Sequence, residues 1–425
     1  MSDRVPDCTV FLDGSAVRAV AGEPVAVGLW AAGVRVLSRS VKYHRPRAAF
    51  CLAGHCGACL MRIDGQPNVK ACQTALREGQ RIEHQNSWPA GEHDLLSAAD
   101  AVFPRGMDHH TMFTSPRAAN ALLRKMVHRL GGLGRLPERG GELAALPSGR
   151  RRKVDVAVIG AGPAGLAAAL TCAQDGKRSV VVYDEQDRPG GSLLSHPRFG
   201  IAAADALAAE ARAVGVELRC HAAAIAWYPE DDGGLLAIDD GGVLTKLTAR
   251  RYIYATGSYD VNALFENNDR PGIWAARAVG LLATRYRVKL AGRTAILGDG
   301  AYAHALAEAL ASAGSNVEHL ASERVLRARG RLWVSGLDLE GGRRVRCDRV
   351  AVAAVPAPAS ELARQHGAAV ELRAKGGGFA CLVDGRGATR VDQVYACGDV
   401  CSFVGVEAAR AHGHSVGRAV AESLA

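Results

Sequence analysis

The chain has 425 residues, of which 48% are hydrophobic and only 5% aromatic, with a formal net charge of +9 and 11 cysteines. That length allows two or three domains. No apolar stretch approaches the roughly 20 residues that span a bilayer, and the polar start Met1–Pro6 lacks the apolar core of a secretion signal. A cytoplasmic protein with no membrane span is expected, its cysteines reduced. Positive charge with so few aromatics argues against nucleic acid; an acidic protein partner or a phosphate-bearing cofactor suits it better.

Residues 1–87 read as one unit. Thr9–Leu12 and Ala16–Val20 alternate around Asp13-Gly14, which predicts a hairpin. Pro24–Ala32 fits a short helix, and a basic stretch (Arg35, Arg39, Lys42, Arg45, Arg47) leads into four cysteines. Cys51, Cys56, Cys59 and Cys72 are spaced C-x4-C-x2-C-x12-C. A tight loop can then offer three sulfurs to one small cluster while a nearby turn supplies the fourth. The first three match the plant-type 2Fe–2S spacing. Gly54 and Gly57 suit a loop wrapped on such a cluster, with N–H groups free to donate to sulfur. Zinc competes, because C-x2-C is also a zinc half-site, but zinc sites usually pair two such knuckles and Cys72 has no close partner.

Residues 88–152 read as a connector. Ala118–Leu130 has helical periodicity, 131–149 is rich in Gly and Pro, and Met107–Thr111 holds adjacent histidines that cannot share a helix face.

The segment from Lys153 to Asp184 carries the strongest pattern. An apolar run enters Gly160-Ala161-Gly162-Pro163-Ala164-Gly165, an Ala-rich helix Leu166–Gln174 follows, and a second apolar strand, Ser179–Tyr183, ends on Asp184-Glu185. Strand, Gly-x-Gly-x-x-Gly turn, helix, strand and terminal acid make a dinucleotide-binding fingerprint. Gly160 makes the turn, Gly162 lets backbone approach a pyrophosphate, Gly165 lets helix pack on strand, and either acid could grip a ribose. Beyond it lie Gly191, with no neighbouring cysteine pair for dithiol chemistry, a helix Ala202–Val214, strands Val243–Ala249 and Tyr252–Tyr254, and the strand end Ala255-Thr256-Gly257.

A second, weaker fingerprint, Gly298-Asp299-Gly300-Ala301-Tyr302-Ala303, follows the strand around Ile296 and precedes a helix Ala305–Ser312. Asp299 puts negative charge in its phosphate loop, and the next strand, Val317–Leu320, lacks a clear ribose-binding acid. The last strand ends on Gly398-Asp399, placed to accept a hydroxyl hydrogen bond from a flavin chain, ahead of a helix Val406–Glu422.

Taken together, Lys42–Arg47 ahead of the cysteines, the double fingerprint and Gly398-Asp399 resemble the alpha subunit of heterotetrameric sarcosine oxidase and the related subunits of proline, hydroxyproline and opine dehydrogenases. The resemblance covers nearly the whole chain. It implies an α/β protein with a β-grasp ferredoxin-like domain (1–87), a connector (88–152), an FAD-binding domain (153–275 and 346–425) and an inserted second nucleotide-binding domain (276–345). The last two would be Rossmann-like units of the pyridine nucleotide-disulfide oxidoreductase type. It implies FAD at the first fingerprint, although some members hold NAD or ATP there, and FMN at a subunit interface. It also implies a hetero-oligomer, in which an amino-acid-oxidase-like flavoprotein beta subunit oxidises a secondary amine and this chain relays the electrons. A self-contained NAD(P)H-dependent reductase, using Gly298 and Gly300 for nucleotide entry, is the competing reading.

Overall fold

A computed structural model of the chain describes residues 4–41, 43–98, 118, 120–121, 147–229, 234–320 and 324–425. Ala118, Asn120 and Ala121 are helical. Lys42, Met107–Thr111, the rest of the expected Ala118–Leu130 helix and all but the end of the Gly/Pro-rich stretch lie outside the described residues.

The N-terminal unit is a five-stranded sheet with one short helix across it. Strands β1 (Cys8–Leu12) and β2 (Ser15–Ala19) form the expected hairpin, and Asp13 and Gly14 both take positive φ in its turn. Helix α1 (Val25–Ala31) presents Val25, Val27 and Leu29 to the core with no exposure at all. The strands β3 (Leu60–Ile63), β4 (Gln66–Lys70) and β5 (Arg81–Glu83) complete the sheet in the order β2-β1-β5-β3-β4, with β1 and β5 parallel. The cysteine loop hangs between α1 and β3, and Cys72 sits just beyond β4.

The largest sheet begins with β6 (Arg150–Ile159). Its Val156–Val158 core is fully buried, as expected of a parallel strand covered on both faces. Helix α2 (Pro163–Ala173) starts three residues earlier than the sequence suggests, because Pro163 at its first position is already preset for helical φ. Strand β7 (Val180–Tyr183) returns parallel to β6. Helix α3 (Gly200–Ala213), β8 (Glu217–Arg219), β9 (Ala222–Tyr228), β10 (Leu235–Asp240) and β11 (Val243–Tyr254) follow. The sheet order is β8-β7-β6-β11-β10-β9. The two expected strands Val243–Ala249 and Tyr252–Tyr254 are one continuous strand, because β6 pairs with β11 along nearly its whole length.

A four-stranded parallel sheet forms the second unit: β12 (Ile273–Ala275), β13 (Arg293–Leu297), β14 (Asn316–Leu320) and β15 (Arg349–Val352), in the order β12-β15-β13-β14. It takes in strands on both sides of the expected 276–345 segment, since β12 and β15 pair with each other rather than with the larger sheet. Helices α4 (Ala276–Thr284) and α5 (Ala301–Ser312) belong to this unit, and α5 begins directly after Gly300. The chain then returns to the large sheet through β16 (Val394–Ala396), which pairs with β11, and closes with α6 (Val406–Glu422) packed along α2.

The N-terminal unit is docked firmly. One hydrophobic cluster runs from Val10, Leu29 and Met61 into Trp274, Val279 and Leu306. The Trp30 and Trp274 rings meet edge to face with centroids 5.9 Å apart, and the Arg35 guanidinium lies over both Trp30 and Trp333. Arg35, Arg39 and Arg47 of the basic stretch thus serve packing. Arg39 is buried, with its guanidinium on the carbonyls of His44, Gly91 and Glu92, and Arg47 pairs with Asp269 at 2.9 Å. Among the described residues no helix is long and apolar enough to cross a membrane.

Candidate functional site

The four cysteines of the C-x4-C-x2-C-x12-C array come together as two pairs. All four are free thiols, hydrogen-bonded Cys51 with Cys56 and Cys59 with Cys72. Within the first pair this hydrogen bond draws the Cys56 thiol down while Cys51 is held up; within the second, Cys72 is lowered and Cys59 raised. Among the described residues no three His, Cys, Asp or Glu side chains converge on a single metal ion. A lone zinc needs four donors around one point, whereas a two-iron cluster takes one pair of thiolates per iron. The two thiol pairs fit the one-pair-per-iron arrangement of a 2Fe–2S cluster. Backbone N–H groups already aim at sulfur: Ala53 at Cys51 (3.4 Å), Ala58 at Cys56 and Gly54 at Cys72. Gly54 and Gly57 both have positive φ, as a wrapped loop requires.

The first fingerprint lies at the carboxyl ends of β6 and β11, the crevice where open α/β sheets bind ligands. Gly160 and Gly165 are fixed by sterics. A Cβ on Gly160 would lie 2.3 Å from the Ala255 carbonyl oxygen, and one on Gly165 would lie 1.9 Å from the Gly160 carbonyl oxygen. Gly162 differs, because its Cβ would meet only Gly191 Cα, at 4.0 Å. It caps α2, whose first N–H groups and positive dipole end face the cavity. Pro163 and Ala164 continue that wall.

The two acids after β7 have different tasks. Asp184 accepts from the backbone N–H of Ala161 (2.6 Å) through one oxygen, which holds the glycine loop, and from that of Gln186 (2.8 Å) through the other, which fixes the turn after β7. Glu185 is exposed, lines the cavity and accepts from Gln186 Nε2 at 3.3 Å. Thr256 donates its hydroxyl to the Ala359 carbonyl (2.6 Å), and Gly257 accepts from the Ala359 N–H, which shapes the strand end. Gly398 has positive φ and packs so closely on Ala164 that a Cβ would fall 2.7 Å from that methyl. Asp399 is buried, lines the cavity, and accepts from Ser258 Oγ and the Val404 N–H, both at 3.3 Å. Burial pushes its carboxyl up.

One cavity of about 820 Å³ joins these groups, and its lining includes Gly160, Gly162, Gly191, Glu185 and Asp399 on one side and Cys51, Leu52, His55 and Cys72 on the other. The cluster loop and the dinucleotide cleft therefore share one space. Two further bonds tie them: the Ala275 N–H donates to the Phe50 carbonyl (3.0 Å), and Gln186 Nε2 donates to the Ala53 carbonyl (3.4 Å). His55 also lines this wall, where its ring meets Tyr259 edge-on at 4.7 Å. Arg277 also lines the cavity and had no motif to announce it; a lone arginine in the first turn of an otherwise apolar helix was its only signal.

The second fingerprint is built differently. Gly298 has positive φ and approaches the Ala353 carbonyl oxygen as closely as its counterpart Gly160 approaches Ala255. Gly300 is extended with no atom within 4 Å of an added Cβ. Asp299 pairs with His304 at 2.9 Å, and His319 donates to the Gly298 carbonyl at 2.8 Å. Neither glycine faces the shared cavity.

Residues 6–87 match the 2Fe-2S iron-sulfur cluster binding domain family, and residues 154–338 match the pyridine nucleotide-disulphide oxidoreductase family. The chain is 30% identical over 349 residues to sarcosine oxidase subunit alpha of Rhizobium meliloti (strain 1021), covering 76% of this chain and 35% of that one. Over 81 residues it is 43% identical to hydrogen cyanide synthase subunit HcnA of Pseudomonas aeruginosa, 19% of this chain and 77% of that one. Its fold matches the crystal structure of L-proline dehydrogenase from P. horikoshii with a TM-score of 0.77 at 21% identity, over 100% of this chain and 75% of that one. The chain thus spans about a third of the length of the sarcosine oxidase alpha subunits it matches.

Proposed function

The chain belongs to the alpha-type subunits of sarcosine oxidase and related amino-acid dehydrogenases, and on that premise we propose that it is the flavin and iron–sulfur electron-transfer subunit of an amine or amino-acid dehydrogenase complex. The observation that carries the reading is the single cavity lined by both the cluster loop and the dinucleotide cleft. A flavin exchanges electrons in pairs and a 2Fe–2S cluster one at a time, so a shared wall lets one chain convert between the two. In this reading Gly160, Gly162, Pro163, Ala164, Gly165 and Gly191 hold the pyrophosphate of FAD. Glu185 takes the ribose, Asp399 the ribityl chain, and Cys51, Cys56, Cys59 and Cys72 the cluster. Asp184, Thr256, Gly257 and Gly398 shape the loops around them.

Oxidation of a proline-, hydroxyproline-, sarcosine- or opine-like substrate is assigned to an amino-acid-oxidase-like flavoprotein partner in a cytoplasmic hetero-oligomer, with FMN between the subunits. Support comes from the relatives, which are themselves named as subunits. The test is to express the chain alone and together with such a partner, then to assay dye reduction with each substrate. The complex is expected to turn over and the lone chain to stay silent; equal rates would overturn the relay.

A second reading, a self-contained NAD(P)H-dependent reductase, is favoured by one observation: the Gly298–Gly300 turn is open enough at Gly300 to admit a nucleotide. Asp299, with its negative charge at that loop, weighs against it. Rapid bleaching of the flavin by NADH or NADPH in the isolated chain would decide for the reductase; no bleaching decides for the relay.

A further inference from the structure

In the floor of the shared cavity four side chains form a continuous series. Asp260 accepts from Arg277 Nε at 2.7 Å. Arg277 Nη2 donates to the Ser258 carbonyl at 2.9 Å, and Nη1 donates to Ser258 Oγ at 3.3 Å. Ser258 Oγ then donates to Asp399 Oδ2, also at 3.3 Å. All four residues line the cavity. The Arg277 and Asp260 side chains are only 19% and 12% exposed. Two carboxylates thus sit in a poorly solvated floor with one fixed cation between them.

The elements that supply them are far apart in the chain. Ser258 and Asp260 follow β11, Asp399 follows β16, and Arg277 is the second residue of α4 in the other sheet unit. The start of α4 is itself pinned to the cluster loop, since the N–H of Ala275 bonds to Phe50, the residue before Cys51. A guanidinium suits this place because its planar fork meets two partners with fixed geometry, which an ammonium cannot do. Without it, Asp260 would be left as an uncompensated carboxylate in a poorly solvated site.

We propose that Arg277 is a positioning residue for the flavin site. It acts through Ser258 to orient Asp399 and keep it ionised, and it supplies the positive charge that makes a flavin bound there easier to reduce. This rests on the reading of the cavity as a flavin site. Asp399 alone is a buried carboxylate that any rotation could turn away from a ligand. With Ser258 donating to one oxygen and Val404 N–H to the other, it has one orientation, and Arg277 fixes Ser258 at both its carbonyl and its hydroxyl.

The test uses the full chain with FAD. Arg277→Gln removes the charge and the fork; about a tenfold or greater rise in the FAD dissociation constant is expected, as for loss of a hydrogen bond to a charged group. The flavin midpoint potential should fall. Arg277→Lys keeps the charge without the fork, so the potential should stay near wild type while affinity still drops. Asp260→Asn in the Arg277→Gln background removes the uncompensated carboxylate and should restore much of the affinity. The cluster EPR signal reports whether each variant is folded. Should Arg277→Gln not fold, Ser258→Ala and Arg277→Lys carry the test, each expected to lose affinity at unchanged thermal stability. Wild-type affinity and potential in the folded Arg277→Gln variant, or wild-type affinity in both substitutes, would overturn the inference while leaving the flavin assignment intact. Wild-type protein that takes up no flavin would refute the flavin assignment and this inference with it.

Discussion

Gly162→Val separates ligand binding from folding more cleanly than any other change in the cleft. The residue has φ −76° and ψ −177°, a conformation open to valine, and its added Cβ would touch only Gly191 Cα at 4.0 Å. The folded chain therefore has room for a Cβ at this site; replacing Gly by Val at a helix N-cap costs about 1 kcal/mol. A pyrophosphate against the same backbone cannot accept it. Pushing the ligand off the loop costs roughly 1–3 kcal/mol as overpacking, and moving its charge from the end of α2 costs roughly 0.3–2 kcal/mol more. Together these give a loss of about 1.3–5 kcal/mol, or roughly 10- to 5,000-fold in affinity.

The assay is the flavin-to-protein ratio after gel filtration, followed by titration with FAD, with circular dichroism as the check on folding. Gly165→Ala is the contrast: its Cβ would lie 1.9 Å from the Gly160 carbonyl oxygen, so that variant should fail at folding itself. Gly300→Val is the control, because that residue is extended with open space around it and belongs to the other fingerprint; flavin should remain. Stoichiometric FAD with wild-type affinity in folded Gly162→Val would refute the placement of the pyrophosphate.

Cys72→Ser should abolish most of the EPR signal of the reduced cluster and leave flavin bound; an unchanged signal removes Cys72 from the ligand set. Trp274→Ala empties a site that is 1% exposed and packed on Trp30, so a loss of about 3–5 kcal/mol is expected. Its urea midpoint should fall well below that of Trp274→Phe, and equal midpoints would show that the ring does not join the two units. His366 is stacked on Trp227 and bonded to the Tyr254 hydroxyl at 2.8 Å, and burial holds it down to about 4. Its folded form binds a proton less readily than the unfolded chain, so its contribution is complete above about pH 6.5 and is lost as pH falls toward 4. That amounts to at most about 3 kcal/mol. Urea unfolding at pH 7 and pH 4.5 should show a smaller acid loss in His366→Gln than in wild type, and identical losses would exclude the residue.

Local chemistry was legible in the sequence and long-range chemistry was not. Gly160, Gly162 and Gly165 could be read because turn, approach and packing are decided within six residues and their flanking strands. The cysteine array could be read because spacing alone limits which sulfurs meet. The division between Asp184 and Glu185 could not, since it depends on the Ala161 N–H, 23 residues upstream, reaching one acid and not the other. Arg39 and Arg47 stand in the sequence only as members of a basic stretch; their partners, carbonyls at 44, 91 and 92 and the carboxylate of Asp269, come from the fold. Arg277 and Tyr259 carry no motif at all; Tyr259 reaches the cavity just past β11, and Arg277 reaches it from the first turn of α4 in the other sheet unit.

How the cluster unit is attached bears on how the proposed relay works. A carrier that swings between partners needs a polar face that can separate. Here Trp30 and Trp274 are buried against each other within one shared core, and Phe50 and Ala53 are bonded to the opposite wall. Rings of this size bury roughly 150–250 Å² each, a gross contribution of about 4–6 kcal/mol per ring. Even as upper estimates, these make a separated state rare beside the docked one. The cluster must then exchange electrons where it stands. Its two edges differ: Cys51 and Cys72 line the cavity, whereas Cys56 is exposed. Within the relay the inner edge faces the flavin cleft and the outer edge faces whatever docks on the cysteine loop. Electron flow can then be directed by fixed position alone, without a moving domain.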